Sequence, residues 1–127
     1  MTLSRHAARR TALFLLYQWD VTGRPLASLY EGEIDDFARG IAEAVVVNVE
    51  ELDAQITAAA PDDWPAKQLG ALERSVLRVA VHELRAGTVP PEVAINEAVE
   101  LAKRYASEDA ARLVNGILGR IHREAVA

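Results

Sequence analysis

Apolar residues recur at spacings of three and four along almost the whole chain, and the alternation typical of strands is nearly absent. The spacing predicts a first helix from Ser4, a suitable N-cap, to about Asp20, with Gly23 and Pro25 ending it. Its inward stripe is predicted to contain Ala8, Ala12, Leu15, Leu16 and Trp19. The pattern therefore predicts an all-α fold from its first segment onward.

The acidic segment that follows keeps the same period. Its apolar positions are Ile34, Phe37, Ile41, Val45, Val49, Leu52 and Ile56. This spacing predicts one helix of several turns, although the β-branched run at 45–47 locally favours strand. The motif "PDDWP" at 61–65 breaks the helix and divides one domain, 1–127, into subdomains of about 1–60 and 65–127.

Four helices are predicted in the second half. A short helix around 66–69 precedes a longer one over "ALERSVLRVAVHELRA", which ends at Gly87. The next begins at the proline pair 90–91, as suits a first turn, and the last begins at Ser107, a suitable cap.

The pair Asn115-Gly116 in "RLVNGILGRI" is an exception, because Asn-Gly between apolar runs is a strong signal for a hairpin turn. The helical spacing of Leu113, Ile117 and Ile121 around it favours a continuous helix instead. A helical glycine costs up to about 1 kcal/mol relative to alanine. Close packing of a neighbouring helix at Gly116 would explain that cost, and Asn115 either has buried partners or faces a ligand.

Composition excludes several functions. The chain has 127 residues, half of them hydrophobic, which suits one globular domain. It has no cysteine, so it contains neither a disulfide nor a thiolate ligand or nucleophile. His6, His82 and His122 are scattered without metal-ligand spacing, and no phosphate-binding glycine loop is present. The apolar run in "RRTALFLL" is too short for an export signal or a membrane span, so we expect a cytoplasmic protein.

The net charge of −5 is unevenly distributed. Residues 1–19 contain three arginines and no acid, whereas residues 20–63 contain eleven acids and two arginines. On a helical wheel His6, Arg10, Leu13 and Tyr17 share a side distinct from the inward stripe. A basic end followed by an aromatic residue indicates phosphate contact at one end and a protein partner at the other.

Three segments carry a family resemblance. The motifs "ARRTALFLLYQWD", "LERSVLRVAVHEL" and "VPPEVAINEAVELAKRYASEDAARLVNGIL" occur in this order and resemble the NusB family of bacterial transcription antitermination factors, from about Ser4 to Gly119. The resemblance implies an all-α fold of about seven helices in two three-helix subdomains, without catalysis or cofactor. It also implies that the chain pairs with the ribosomal protein NusE, binds single-stranded boxA RNA and helps RNA polymerase in the antitermination complex read through terminators.

Site residues follow from the resemblance position by position. The RNA-binding residues it implies are Arg5, Arg9, Arg10, Arg78, Asp109, Leu113 and Asn115. The NusE-binding residues it implies are Tyr17 and Glu73, the latter pairing with a base on the partner. This chain departs from arginine-rich members at His6 and Ala7, and Leu113 stands where an aromatic side chain would stack on a base. We therefore expect weak RNA binding without the partner.

Two alternatives remain open from the residues. A NusB-like domain also precedes the catalytic domain of some ribosomal RNA cytosine methyltransferases, but that chemistry needs a cysteine nucleophile, which this chain lacks. The other alternative is a helical adaptor that binds proteins and not RNA. The sequence also leaves open whether the chain is a monomer or a homodimer.

Overall fold

A central helix organises the structure. The computed structural model describes residues 4–62 and 69–126. The α-helices in these residues are α1 (Arg5–Thr22), α2 (Asp36–Val47), α3 (Val49–Ala59), α4 (Ala71–Ala86), α5 (Pro91–Tyr105) and α6 (Glu108–Val126), and a 3-10 turn spans Leu26–Leu29. No strand occurs in the described residues, and the predicted all-α class is confirmed. The short helix predicted around 66–69 lies, except for its last residue, outside them.

Helix α4 packs against each of the other five α-helices. Its residues 75–81 are all buried, including Ser75, whose hydroxyl donates to the carbonyl of Ala71 at 2.7 Å. Helices α5 and α6, joined by two residues, pack closely along each other. Because α4 contacts helices from both halves of the chain, the division into two subdomains stays a prediction.

The helix ends follow the predicted chemistry. Ser4 Oγ accepts from the N–H of Ala7 at 3.1 Å, and Ser107 Oγ accepts from that of Ala110 at 2.9 Å. Each hydroxyl satisfies a backbone donor that the first turn leaves without an intrahelical partner. Gly23 ends α1 in the left-handed conformation, with φ of 70°. These signals were therefore sufficient to place both ends of α1 and the start of α6 within about two residues.

The prediction of a single helix for the acidic segment is wrong, because α2 ends before Asn48 and α3 begins after it. Asn48 has φ −107° and ψ 17°, and its Nδ2 donates to the carbonyl of Ala44 at 2.9 Å. This side-chain bond competes with helix continuation. Beyond the break α3 packs on α4 and α6, whereas α2 packs on α1 and α4. The spacing of apolar residues did not indicate this boundary, because α2 and α3 each bury an apolar stripe and the period continues from one to the other.

Helix α6 runs through Asn115-Gly116 as predicted. The explanation by close packing is wrong, since a Cβ built on Gly116 meets no heavy atom within 4 Å. Asn115 is exposed, so it has no need of buried partners. The buried stripe of α6 passes through Val114 and Ile117 instead, and this leaves the Asn-Gly pair on the solvent side.

We expect Gly116→Ala to raise the free energy of unfolding by about 0.5–1 kcal/mol, because alanine restricts the unfolded chain and meets open space in the helix. Urea denaturation measures the change. Gly119→Ala is the control, since its added Cβ would lie 3.1 Å from Nη1 of Arg123 and its gain should be smaller. A loss of stability in Gly116→Ala would contradict the open environment.

Candidate nucleic-acid and partner interface

The outward face of α1 differs from the predicted one. Leu13, predicted to lie on the outward side with Arg10, is fully buried. The exposed and half-exposed positions at spacings of three and four are His6, Arg10, Phe14, Tyr17 and Val21. Residues 5–19 contain no acid. The candidate interface on α1 is therefore the basic and aromatic part of this row, namely His6, Arg10, Phe14 and Tyr17.

Arg5 and His6 at the start of α1 contact neighbouring helices. The guanidinium carbon of Arg5 lies 3.8 Å from the ring centroid of Phe37 on α2, a cation–π contact that leaves Arg5 exposed. His6 Nδ1 lies 2.7 Å from Glu97 Oε2 on α5. Both side chains remain at the surface, so Arg5 is available to an anion.

Arg9 does not lie on this surface. Only 3% of it is exposed, and its Nε and Nη2 donate to the two oxygens of Glu83 on α4 at 2.8 and 2.9 Å. The hydrogen bonds that Arg9 donates to Glu83 raise the pKa of Arg9, against the opposing effect of burial. The expectation that Arg9 contacts RNA therefore disagrees with its placement. Its spacing from Ala12 and Leu16, which are both buried, was the sequence signal for this burial.

Arg78 is also buried, contrary to its expected place on an RNA surface. Its Nε and Nη2 each donate to an oxygen of Asp53 on α3 at 2.8 Å, and Nη1 lies 3.5 Å from Asp20 Oδ2 on α1. Burial lowers the pKa of Arg78, but Asp53 and Asp20 together outweigh burial and raise it. Arg78 thus links α1, α3 and α4, a role that sequence spacing did not indicate.

The two predicted partner-binding residues lie on helix segments that an ion pair connects. Arg74 donates through Nε and Nη2 to Asp20 Oδ2 at 3.2 and 2.8 Å, which ties the end of α1 to the start of α4. Tyr17 lies one turn before Asp20, and Glu73 directly precedes Arg74; both are half-buried. The structure therefore brings the two helix segments together near the C-terminal end of α1.

The remaining predicted residues lie on α6. Asp109 is exposed and pairs with Arg112, Leu113 is half-buried, and Asn115 is exposed. Helix α6 packs mainly on α3, α4 and α5. The predicted RNA residues that lie at the surface are therefore distributed over two helices, α1 and α6, that do not pack directly along each other.

Some basic side chains are not neutralised by the protein itself. Across residues 4–62 and 69–126, those without a carboxylate at ion-pair distance are Arg5, Arg10, Arg24, Lys103, Arg104 and Arg123. Four of these six lie on α1 and α5, two neighbouring helices. Within the same ranges, no group of three potential metal ligands occurs, and no helix has the length and hydropathy needed to cross a bilayer.

Comparison with known sequences decides the family. The profile of the NusB family matches residues 6–123. The chain belongs to the NusB family. Transcription antitermination protein NusB of Rubrobacter xylanophilus is 43% identical over 123 residues, which cover 91% of this chain and 88% of that protein. The protein of the same name from Solibacter usitatus is 34% identical over 95% of this chain and 90% of its own length.

Solved structures agree with this assignment. NusB of T. maritima superposes with a TM-score of 0.85 at 30% identity, covering 98% of this chain and 94% of that one. A NusB solved together with NusE and double-stranded RNA superposes with a TM-score of 0.80 at 30% identity, covering 94% and 96%. The resemblance to the NusB family and the all-α fold it implied are confirmed.

The buried ion pair of Arg9 and Glu83 predicts that two adjacent arginines differ in their effect on the free energy of unfolding. Arg9→Ala should lower the free energy of unfolding by about 3–5 kcal/mol, because it leaves Glu83 buried without its counter-charge. Arg10→Ala should change it by less than about 0.5 kcal/mol, as is usual at the surface. Urea denaturation of both variants tests this.

Arg9→Met combined with Glu83→Leu should recover most of the stability lost in Arg9→Ala, since no buried charge is then left alone. Equal effects of the two single arginine variants would contradict the burial of Arg9. Triple replacement of Arg5, Arg9 and Arg10 therefore cannot serve as a test of RNA binding alone.

The lowered pKa of His82 predicts that the free energy of unfolding depends on pH. Burial lowers its pKa from the ordinary 6.5, with Arg85 acting in the same direction and Glu83 against it. The unfolded chain therefore binds the proton first, and stability falls as pH drops below about 6.5, by at most about 1.4 kcal/mol per pH unit. His82→Gln should reduce this dependence between pH 7.5 and 5.5 in urea titrations. A stability difference between the two proteins that is constant with pH would contradict it.

Proposed function

We propose that this protein is a transcription antitermination factor that acts with NusE on boxA RNA of nascent ribosomal transcripts and supports read-through by RNA polymerase. The observation that carries the proposal is the NusB family match over residues 6–123. It is supported by the relative that was solved in complex with NusE and RNA. A protein with this function would act in the bacterial cytoplasm, where transcripts are made. The proposed function requires neither a cofactor nor a catalytic residue.

The RNA side of the proposal uses surface groups only. Arg5 and Arg10 on α1 supply phosphate contacts, and Asp109, Leu113 and Asn115 on α6 contribute a second patch. Arg9 and Arg78 are excluded because both are buried and donate to carboxylates of the protein itself. Each phosphate contact to a single strand contributes about −0.7 to the slope of log affinity against log salt. Because only a few such contacts are available, RNA binding by the chain alone is weak and local.

The partner side uses Tyr17 and Glu73. Tyr17 offers a half-buried ring with a polar end, a combination favoured at protein interfaces. The Glu73 carboxylate lies over Gly70, the N-cap of α4, where an added Cβ would come 2.5 Å from its Oε2. A basic side chain of NusE is the proposed partner of this carboxylate.

The test is retardation of boxA RNA on native gels, with and without NusE, at several salt concentrations. Single-stranded boxA, a scrambled single strand and duplex boxA are compared. We expect retardation of single-stranded boxA that is weak for the chain alone and strong with NusE. No retardation of any RNA by the mixture would contradict the proposal, and binding of NusE without RNA would favour a protein adaptor.

Single substitutions separate the two sides of the proposed interface. Arg10→Ala should reduce the magnitude of the salt slope by about 0.7 while leaving NusE affinity unchanged. Tyr17→Ala and Glu73→Lys should weaken NusE binding and with it the strong RNA complex. Arg24→Ala, which removes an exposed cation bonded to the Ser28 carbonyl, is the matched control and should change neither.

A further inference from the structure

An exposed aromatic pair lies where α1 and α5 meet. Phe14 on α1 is 38% exposed, and its ring packs edge-to-face on that of Tyr105, the last residue of α5, with centroids 5.0 Å apart and planes at 78°. Edge-to-face packing is the preferred geometry of aromatic pairs and holds both rings in place. The pair is therefore a preformed aromatic surface, and nothing in the described residues covers Phe14 fully.

Helices α1 and α5 run in the same direction at this surface. His6 contacts Glu97, and eight residues later on each helix Phe14 contacts Tyr105. Arg10 lies midway between His6 and Phe14, four residues from each, so it projects from the same face of α1. The basic side chain and the aromatic pair thus form one continuous row.

The aromatic pair is surrounded by unneutralised positive charge. Arg10, Lys103 and Arg104 have no carboxylate at ion-pair distance in the parts of the chain described, and the guanidinium carbon of Arg104 lies 5.5 Å from the Tyr105 ring centroid. The helix dipole accounts for basic residues in the last turn of α5. It does not account for Arg10, in the second turn of α1.

We propose that Phe14 and Tyr105, flanked by Arg10 and Arg104, form a stacking site for an unpaired base of single-stranded RNA. Unstacked bases bind aromatic rings and guanidinium planes, while nearby cations contact the backbone. RNA is favoured over a protein partner because Arg10, Lys103 and Arg104 place positive charge that no described carboxylate neutralises on both helices beside the rings, as contact with a phosphate backbone requires. The inference rests on the proposed RNA-binding function and names a part of its surface.

The experiment uses the complex with NusE and single-stranded boxA RNA carrying 2-aminopurine at one position at a time. Stacking on a ring quenches the fluorescence of this base, so we expect quenching at one position or two adjacent ones. Phe14→Leu and Tyr105→Leu should each abolish that quenching and weaken RNA binding by about 5- to 150-fold, the range expected for loss of one base–aromatic stack.

The salt dependence separates stacking from charge. Phe14→Leu should leave the salt slope unchanged, because a ring displaces no counterions, whereas Arg10→Ala should reduce its magnitude by about 0.7. Phe14→Tyr should retain both quenching and affinity, which keeps the test valid if the leucine variant folds poorly. Val47→Ala, a highly exposed apolar position at the end of α2 and outside the candidate interface, is the control and should change nothing.

Three outcomes would overturn the inference. Unchanged RNA affinity in Phe14→Leu, with wild-type protein binding boxA, removes the stacking site and leaves the proposed function intact. Loss of NusE affinity in Phe14→Leu, with unchanged RNA binding by the preassembled complex, makes the aromatic pair a protein contact. Absence of RNA binding by the wild-type complex contradicts both the inference and the proposed function.

Discussion

The paired burial of Arg9 and Glu83 is the constraint on which the rest of the structure depends. A buried charge that lost its partner would cost several kcal/mol, so α1 and α4 keep the one register in which both hydrogen bonds form. Helix α4 in turn packs against the other five α-helices of the described residues. The rotation of α1 about its axis is thereby set, and Arg10, which follows Arg9 by about 100° around the helix, is directed towards solvent.

The arginines consequently divide into two groups. Arg9, Arg74 and Arg78 connect helices through carboxylates at 2.8–3.2 Å and stabilise the bundle. Arg5 and Arg10 remain without a carboxylate and supply the charge of the proposed RNA surface. A count of basic residues near the N-terminus could not reveal this division, because the carboxylate partners of the helix-connecting arginines lie 25 to 74 residues away in the chain.

Most of the fold could be predicted from the sequence, because helical period and capping chemistry are local. Ser4, Gly23 and Ser107 marked helix ends that the structure confirms. The break at Asn48 was missed because α2 and α3 each bury a stripe, so the period continues across the turn. For the site, the burial of Arg9 was recoverable from its spacing to Ala12, whereas the Arg78 cluster depends on tertiary contacts that no local pattern encodes.

The distribution of charge explains how an acidic protein can present the proposed RNA surface. The eleven acids of residues 20–63 lie mostly beside α2 and α3, where several pair with arginines, including Asp36 with Arg39 and Glu51 with Arg85. At physiological salt their effect is screened beyond about 8 Å. Attraction of RNA to the face of α1 and α5 is therefore local, and few phosphate contacts are available there. In the proposed function, short-range stacking and bound NusE supply the affinity that long-range electrostatics cannot, and RNA binding then depends on assembly of the complex.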